Sequence, residues 1–153
     1  MKDVAIQFFN GIDEKVVPQI RLTKSKDGQA GQAYFRFENP EALLSDNFKE
    51  IQGMYLLDEE GQITTREIHI AVSRKNGKYT AIEAIYSWKT ERDFNRFMRF
   101  ANRYAKKYGL LYEGGLSDTP PPNSTGRNPV NKWGFLPAPN AFSLRFNSGF
   151  LSI

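Results

Sequence analysis

Apolar and polar residues alternate along the first third of the chain in short runs, the period of half-buried β-strands. Val4, Ile6 and Phe8 alternate with Ala5 and Gln7 until Asn10-Gly11 interrupts them. Ile20 and Leu22 alternate with Arg21 and Thr23 and stop at Asp27-Gly28; Ala33, Phe35 and Phe37 alternate with Tyr34, Arg36 and Glu38 and stop at Asn39-Pro40. Each stop is turn chemistry. Residues 41–47 read as a loop or one helical turn, and 48–57 as a further strand. Asp58-Glu59-Glu60-Gly61 suits a type I turn with Gly61 at positive φ, so the chain returns antiparallel from Gln62. Asn76-Gly77 is the strongest hairpin signal, for a type I′ turn. With those two residues in the turn, Lys75 faces Lys78. His69 then lies opposite Ala84, Ala71 opposite Ile82, Glu67 opposite Tyr86, Ile68 opposite Ile85 and Val72 opposite Ala81. Both faces of that hairpin carry apolar residues, which predicts a sheet covered on both sides at its middle.

The period then changes to that of a helix. Thr90 is a candidate N-cap with Asp93 three residues on, and Gly109 stands where a C-terminal glycine belongs. Phe94, Phe97, Met98, Ala101, Tyr104, Ala105 and Tyr108 recur at helical spacing as the stripe expected to be buried. Arg92, Arg96, Arg99 and Arg103 form a second stripe beside it, expected to be exposed.

Beyond Tyr112 six of the eight prolines gather (Pro120, Pro121, Pro122, Pro129, Pro137, Pro139), and no regular element is expected before about Phe142. The segment still carries Trp133, Phe135, Leu136, Phe150, Leu151 and Ile153, side chains that need a surface to bury against. Phe142, Leu144 and Phe146 alternate with Ser143 and Arg145, which is strand-like. The fold class is therefore α+β: an antiparallel sheet of short strands joined by hairpins, covered by one amphipathic helix and followed by an extended tail. The division expected is one domain over 1–112 and a Pro/Gly-rich, aromatic-containing tail over 113–153.

Composition narrows the chemistry. The 153 residues are 40% hydrophobic and 25% charged, as in a globular protein with a core. No apolar run reaches the roughly 20 residues a membrane-spanning helix needs, and residues 1–15 lack the basic start and apolar run of a secretory signal. With no cysteine there is no disulfide, thiolate metal site or thiol nucleophile, and one histidine leaves little for metal sites or triads. His69 falls mid-strand, where a structural role outweighs a catalytic one. Asp58, Glu59 and Glu60 read as solvated turn residues, since the calcium-loop pattern is missing. The glycines are isolated turn positions rather than a phosphate loop, and no serine or threonine has a recognisable base. No metal, cofactor or catalytic residue is expected.

The net charge of +4 has an address. Residues 91–108 hold six basic side chains (Arg92, Arg96, Arg99, Arg103, Lys106, Lys107) against Glu91 and Asp93, and the rest is balanced. Arginine outnumbers lysine there, and a planar guanidinium suits defined bonds to carboxylate or phosphate. Arg92, Arg96, Arg99 and Arg103 are the candidate partner-binding residues. Nucleic acid as the partner would require exposed aromatic residues for stacking, whereas Phe35 and Phe37 fall on one strand face as core residues do.

Four ordered motifs then carry a resemblance. Ile20-Arg21-Leu22-Thr23-Lys24-Ser25; Phe37-Glu38-Asn39-Pro40; Gly53-Met54-Tyr55-Leu56-Leu57-Asp58-Glu59-Glu60-Gly61 with Thr65-Arg66-Glu67; and Arg96-Phe97-Met98-Arg99-Phe100 with Arg103-Tyr104-Ala105 are similar to the Psb28 family of photosystem II assembly proteins, in order from about Val4 to Leu111. The resemblance implies a non-enzymatic, cofactor-free protein, peripheral to the thylakoid membrane at its cytoplasmic or stromal face. It would bind transiently to assembly intermediates through photosystem II core subunits, the inner antenna and reaction-centre subunits, with no nucleic acid. It also implies β-augmentation, in which the C-terminal tail of the CP47 inner antenna joins the sheet as an added strand. A basic single-stranded nucleic-acid binder is the alternative. Two departures stand out: Ala101 where a bulkier apolar residue is expected, and the continuation over 113–153. The strand-like Phe142, Leu144 and Phe146 suggest that the tail pairs with the border the partner uses and competes with it.

Overall fold

A computed structural model describes residues 3–25, 29–114 and 142–148. Within them the chain forms β1 (Ala5–Phe9), β2 (Ile12–Asp13), β3 (Gln19–Lys24), β4 (Gly31–Glu38), two 3-10 turns (Glu41–Leu44 and Phe48–Glu50), β5 (Met54–Asp58), β6 (Gly61–Thr65), β7 (Ile68–Val72), β8 (Tyr79–Trp88), α1 (Glu91–Tyr108), β9 (Leu110–Gly114) and β10 (Phe142–Ser148). The strands make two antiparallel sheets, one of four strands in the order β2-β1-β5-β6 and one of six in the order β7-β8-β4-β3-β10-β9. This is the α+β class the alternation implies.

The core lies where the two sheets and α1 meet. Ala33, Phe35 and Phe37 of β4 share a face with Ile20 and Leu22 of β3 and with Ile82 and Ala84 of β8, all essentially inaccessible to water. Phe97 of α1 meets that face edge-on at Phe35 (6.1 Å) and lies near-parallel to Tyr86 and Trp88 (5.5 and 5.8 Å). The four-stranded sheet contributes Ile6, Phe8, Met54 and Leu56, with Phe8 edge-on to Phe37 at 4.9 Å. Each large aromatic buried this way contributes roughly 2–3 kcal/mol of transfer free energy.

The helix ends are those the sequence implies. Thr90 Oγ1 accepts from the Asp93 N–H at 3.1 Å, and Gly109 takes φ 70° at the C-terminal end, where no β-carbon opposes it. The buried stripe includes Phe100, which the helical spacing above leaves out, while Met98 and Tyr108 are only half-buried.

Three expectations change. The strand expected over 48–57 begins only at Met54, because Phe48–Glu50 closes a 3-10 turn with Glu50 N–H on Asn47 O. The sheet also continues past Tyr112, to Gly114 in β9. The third concerns register. Asn76-Gly77 is not a two-residue turn: Ser73 N–H donates to Lys78 O and Gly77 N–H to Ser73 O, which closes a four-residue loop with Gly77 at φ 70°. The pairing slips accordingly, so that His69 faces Glu83, Ile68 faces Ala84 and Ala71 faces Ala81. A bulge between Ala71 and Val72 takes up the remainder: Thr80 is the extra residue, and its carbonyl accepts from Asn39 N–H. The sheet's second face is polar along its centre, where Tyr34 Oη donates to Glu83 and Arg36 pairs with both Glu83 and Glu38. The turn expected at Asp27-Gly28 and the aromatic residues of 115–141 and 149–153 lie outside the described residues.

Gly31 is required for packing. A β-carbon there would stand 2.3 Å from Thr23 O and 2.5 Å from the Trp88 ring. Gly31→Ala is expected to lower unfolding free energy by about 2–3 kcal/mol in urea titrations, because backbone and a buried indole must both move. Thr90→Ala is expected to cost about 1 kcal/mol in the same assay.

Candidate functional site

The arginine stripe meets a partner inside the molecule. Arg96, Arg99 and Arg103 are three and four residues apart and project from one side of α1, which brings them over the β5–β6 hairpin. Asp58 ends β5, opposite Gly61 at φ 132°, and its side chain is 1% exposed. Arg96 holds that carboxylate with two hydrogen bonds, Nη1 to Oδ2 at 2.9 Å and Nη2 to Oδ1 at 2.7 Å. Arg103 Nη1 adds a bond to Oδ2 at 2.8 Å and reaches Glu60 Oε2 at 2.6 Å. Arg99 grips Glu60 in the same forked way at 2.8 and 2.9 Å, and Glu59 comes within 3.7 Å of Arg103. Three guanidinium groups therefore face three carboxylates, and the paired charges hold the helix against the four-stranded sheet.

This corrects two readings of the sequence. The arginines at 96, 99 and 103 do not form an open cationic stripe, and Asp58, Glu59 and Glu60 are not simply solvated turn residues. The contacts span 38 to 45 residues of sequence, so strand and helix patterns, each read locally, do not reveal them. Arg92, one turn earlier, is exposed.

The charge states follow from the contacts. Burial pushes the Asp58 carboxyl up, but hydrogen bonds from Arg96, Arg103 and the Glu60 N–H together hold it below its usual range. Hydrogen bonds from Arg99 and then Arg103 bring Glu60 from its usual 4.5 down to about 2. Both groups are ionised at neutral pH.

The other residues singled out are dispersed. His69 is exposed, on the outer face opposite Glu83, and among the described residues no three His, Asp or Glu side chains converge to hold a metal ion. Phe35 and Phe37 are fully buried, which removes them as stacking platforms for bases. No helix of the described residues is long and apolar enough to cross a membrane.

Two positions escaped sequence reasoning. Glu14 is buried and its carboxylate accepts from the N–H groups of Val16 (3.0 Å), Glu41 (2.9 Å) and Ala42 (2.9 Å), fastening the first 3-10 turn to the loop after β2. A lone glutamate among lysine, valine and proline gives no local sign of this. The other is the border of β3. Ser25 N–H donates to Ala30 O, so by alternation the odd-numbered residues of β3 turn their backbone groups toward β4, and Ile20, Leu22 and Lys24 turn theirs outward. That border receives β10: Phe142 faces Lys24, Leu144 faces Leu22 and Phe146 faces Ile20. The strand read at Phe142, Leu144 and Phe146 is thus part of the sheet, with β9 on its other flank.

Helix, clamp and sheet define a small α+β domain with one broad sheet whose border accepts an extended segment. The family described as "Psb28 protein" matches residues 6–112, and the chain belongs to it. Proteins named "Photosystem II reaction center Psb28 protein" are 54% identical over 112 residues in Synechococcus sp. strain CC9605 (73% of this chain, 87% of that protein), 58% over 108 residues in strain WH7803 (71% and 82%) and 56% over 108 residues in Prochlorococcus marinus strain MIT 9211 (71% and 91%). β10 lies beyond the family match, which ends within β9.

Asp58→Asn, which leaves Arg96 and Arg103 facing a neutral amide, is expected to destabilise the fold by about 2–4 kcal/mol. Arg99→Ala, at a side chain 51% exposed, should shift stability far less than Asp58→Asn. Both are read from urea midpoints at pH 7. Because the folded-state pKa values of Asp58 and Glu60 are lowered, their contribution is fully present above the ordinary carboxylate range. It is lost as pH falls from about 4.5 toward 2. The Asp58→Asn protein should show a shallower loss of stability over that interval.

Proposed function

We propose that this protein is a non-enzymatic photosystem II assembly factor. In this reading it binds transiently to assembly intermediates at the cytoplasmic or stromal face of the thylakoid membrane, as a peripheral protein without a cofactor. Membership of a family whose relatives are named for the photosystem II reaction centre supports the association. The mode proposed is β-augmentation, with the C-terminal tail of the CP47 inner antenna as the incoming strand and reaction-centre subunits contacting neighbouring surfaces. Backbone hydrogen bonds would supply the affinity and alternate side chains the selectivity.

The single observation that carries this mode is the β3 border. Ile20, Leu22 and Lys24 present their backbone groups sideways along a strand whose pairing with β10 has no bulge, and an extended segment from outside the family core is seated there. With Arg96, Arg99 and Arg103 engaged by Asp58, Glu59 and Glu60, recognition rests on the sheet more than on the helix, and Arg92 is the member of the stripe left outward for an acidic partner. The burial of Phe35 and Phe37 weighs against the nucleic-acid alternative.

Tagged full-length protein retrieved from solubilised thylakoids is expected to bring with it photosystem II intermediates that contain the inner antenna, with mature complexes depleted. Recovery only as free protein, or only with RNA, would overturn the reading.

A further inference from the structure

The β3 border is occupied by this chain's own residues, and the way they are held bears on what else binds there. β10 is interleaved: five of its residues pair with β3 and five with β9, so it fills a seat with a strand on either side. The β3 wall and most of β9 lie in the family core, while the occupant follows 27 residues (115–141) rich in proline and glycine. In register, residue 145 lies opposite Arg21 of β3 on one flank and residue 113 of β9 on the other.

The opposite border of the same sheet is a poorer receiver. Ser73 N–H on Lys78 O and Ile85 N–H on Glu67 O place the odd-numbered residues of β7 toward β8, which leaves Ile70 and Val72 facing outward. There the pairing of β7 with β8 is broken by the bulge at Ala71/Val72, and the strand runs directly into the basic loop of Arg74 and Lys75. Bulges and cationic side chains are the usual means of blunting a sheet edge. β3 carries Arg21 and Lys24 but pairs with β10 without a bulge.

We infer that the slot between β3 and β9 is the strand-binding site of this protein, and that residues 142–148 are a tethered resident which an incoming partner strand must displace. The inference rests on the β-augmentation reading above and names its seat. The partner it fits is an extended segment with apolar residues at alternate positions, to follow Ile20 and Leu22. A tethered resident reduces apparent affinity by the fraction of molecules in which the slot is open. It therefore filters partners, admitting those that pair better than the tail does.

The chain has no cysteine, so a single designed disulfide can lock the resident. Thr23 and Ser143 face each other at a pair that makes no direct backbone bond across β3 and β10, the closer-spaced kind. Full-length Thr23→Cys/Ser143→Cys protein, oxidised and reduced, and Leu144→Pro protein, whose altered residue cannot donate to the β3 ladder, are compared with the unaltered chain. One probe is a fluorescent synthetic peptide of residues 141–149; the other is the intermediates in solubilised thylakoids. Leu144→Pro should bind the peptide at least about tenfold more tightly than the unaltered chain. The oxidised pair should bind neither probe, and reductant should restore both. Equal peptide binding by oxidised and reduced protein would overturn the inference, as would capture of intermediates that ignores the lock. Capture lost instead on Ile70→Pro would overturn it by assigning the seat to β7. Lock-dependent peptide exchange with no capture of intermediates in any form would uphold the slot as a strand site and overturn the proposed function alone.

Discussion

The architecture turns on one carboxylate taken out of water. Asp58 is almost wholly buried, and a charge so placed is tolerated only when its hydrogen-bonding capacity is filled. Arg96 and Arg103, two turns apart on α1, fill it from one side, and the Glu60 N–H fills it from the hairpin. The geometry admits one rotation of the helix about its axis. Turned by a single residue, the guanidinium forks lose Asp58 and the phenylalanine face loses its seat on the sheet. The ion cluster sets the helix in phase, and the apolar face supplies most of the free energy.

That phase carries consequences for the six-stranded sheet. Phe97, fixed by its neighbours Arg96 and Arg99, lies against Phe35, Tyr86 and Trp88, and Trp88 in turn leaves room only for hydrogen at Gly31, where β4 begins beside the end of β3. The order of β3, and so the straightness of its border, is continuous with the helix clamp through contacts that share atoms. A strand border that pairs without a bulge needs such backing, since one that bends loses alternate hydrogen bonds.

What the sequence made legible follows the range of each interaction. Thr90, Asp93 and Gly109 define the helix from contacts within four residues, and alternation at Ile20/Leu22 and at Ala33/Phe35/Phe37 defines β3 and β4 because each strand has one face on the core. The β7–β8 register is not fixed locally, since Asn76-Gly77 permits two loop lengths and the choice is made by the Ser73–Lys78 closure and the bulge at Thr80, which is tied to Asn39 across the sheet. The arginine stripe looked like an external surface because its three carboxylates lie about forty residues earlier in sequence. Charge patterning along one element identifies a face and leaves open whether that face meets solvent or another part of the chain. Glu14 was invisible for the same reason: its partners are backbone N–H groups, and every residue except proline has one.

The tail strand was legible for a reason that bears on recognition. The alternation at Phe142, Leu144 and Phe146 needs no knowledge of the rest of the chain, and the β3 border accepts it through backbone groups that carry no sequence signature. A seat built this way reads pattern: residues that alternate in step with Ile20 and Leu22. β10 thus covers an edge that would otherwise invite indiscriminate pairing. Under the displacement inferred above, protection of the border and its availability to one partner are compatible, because a covalently attached cover can leave its seat and return.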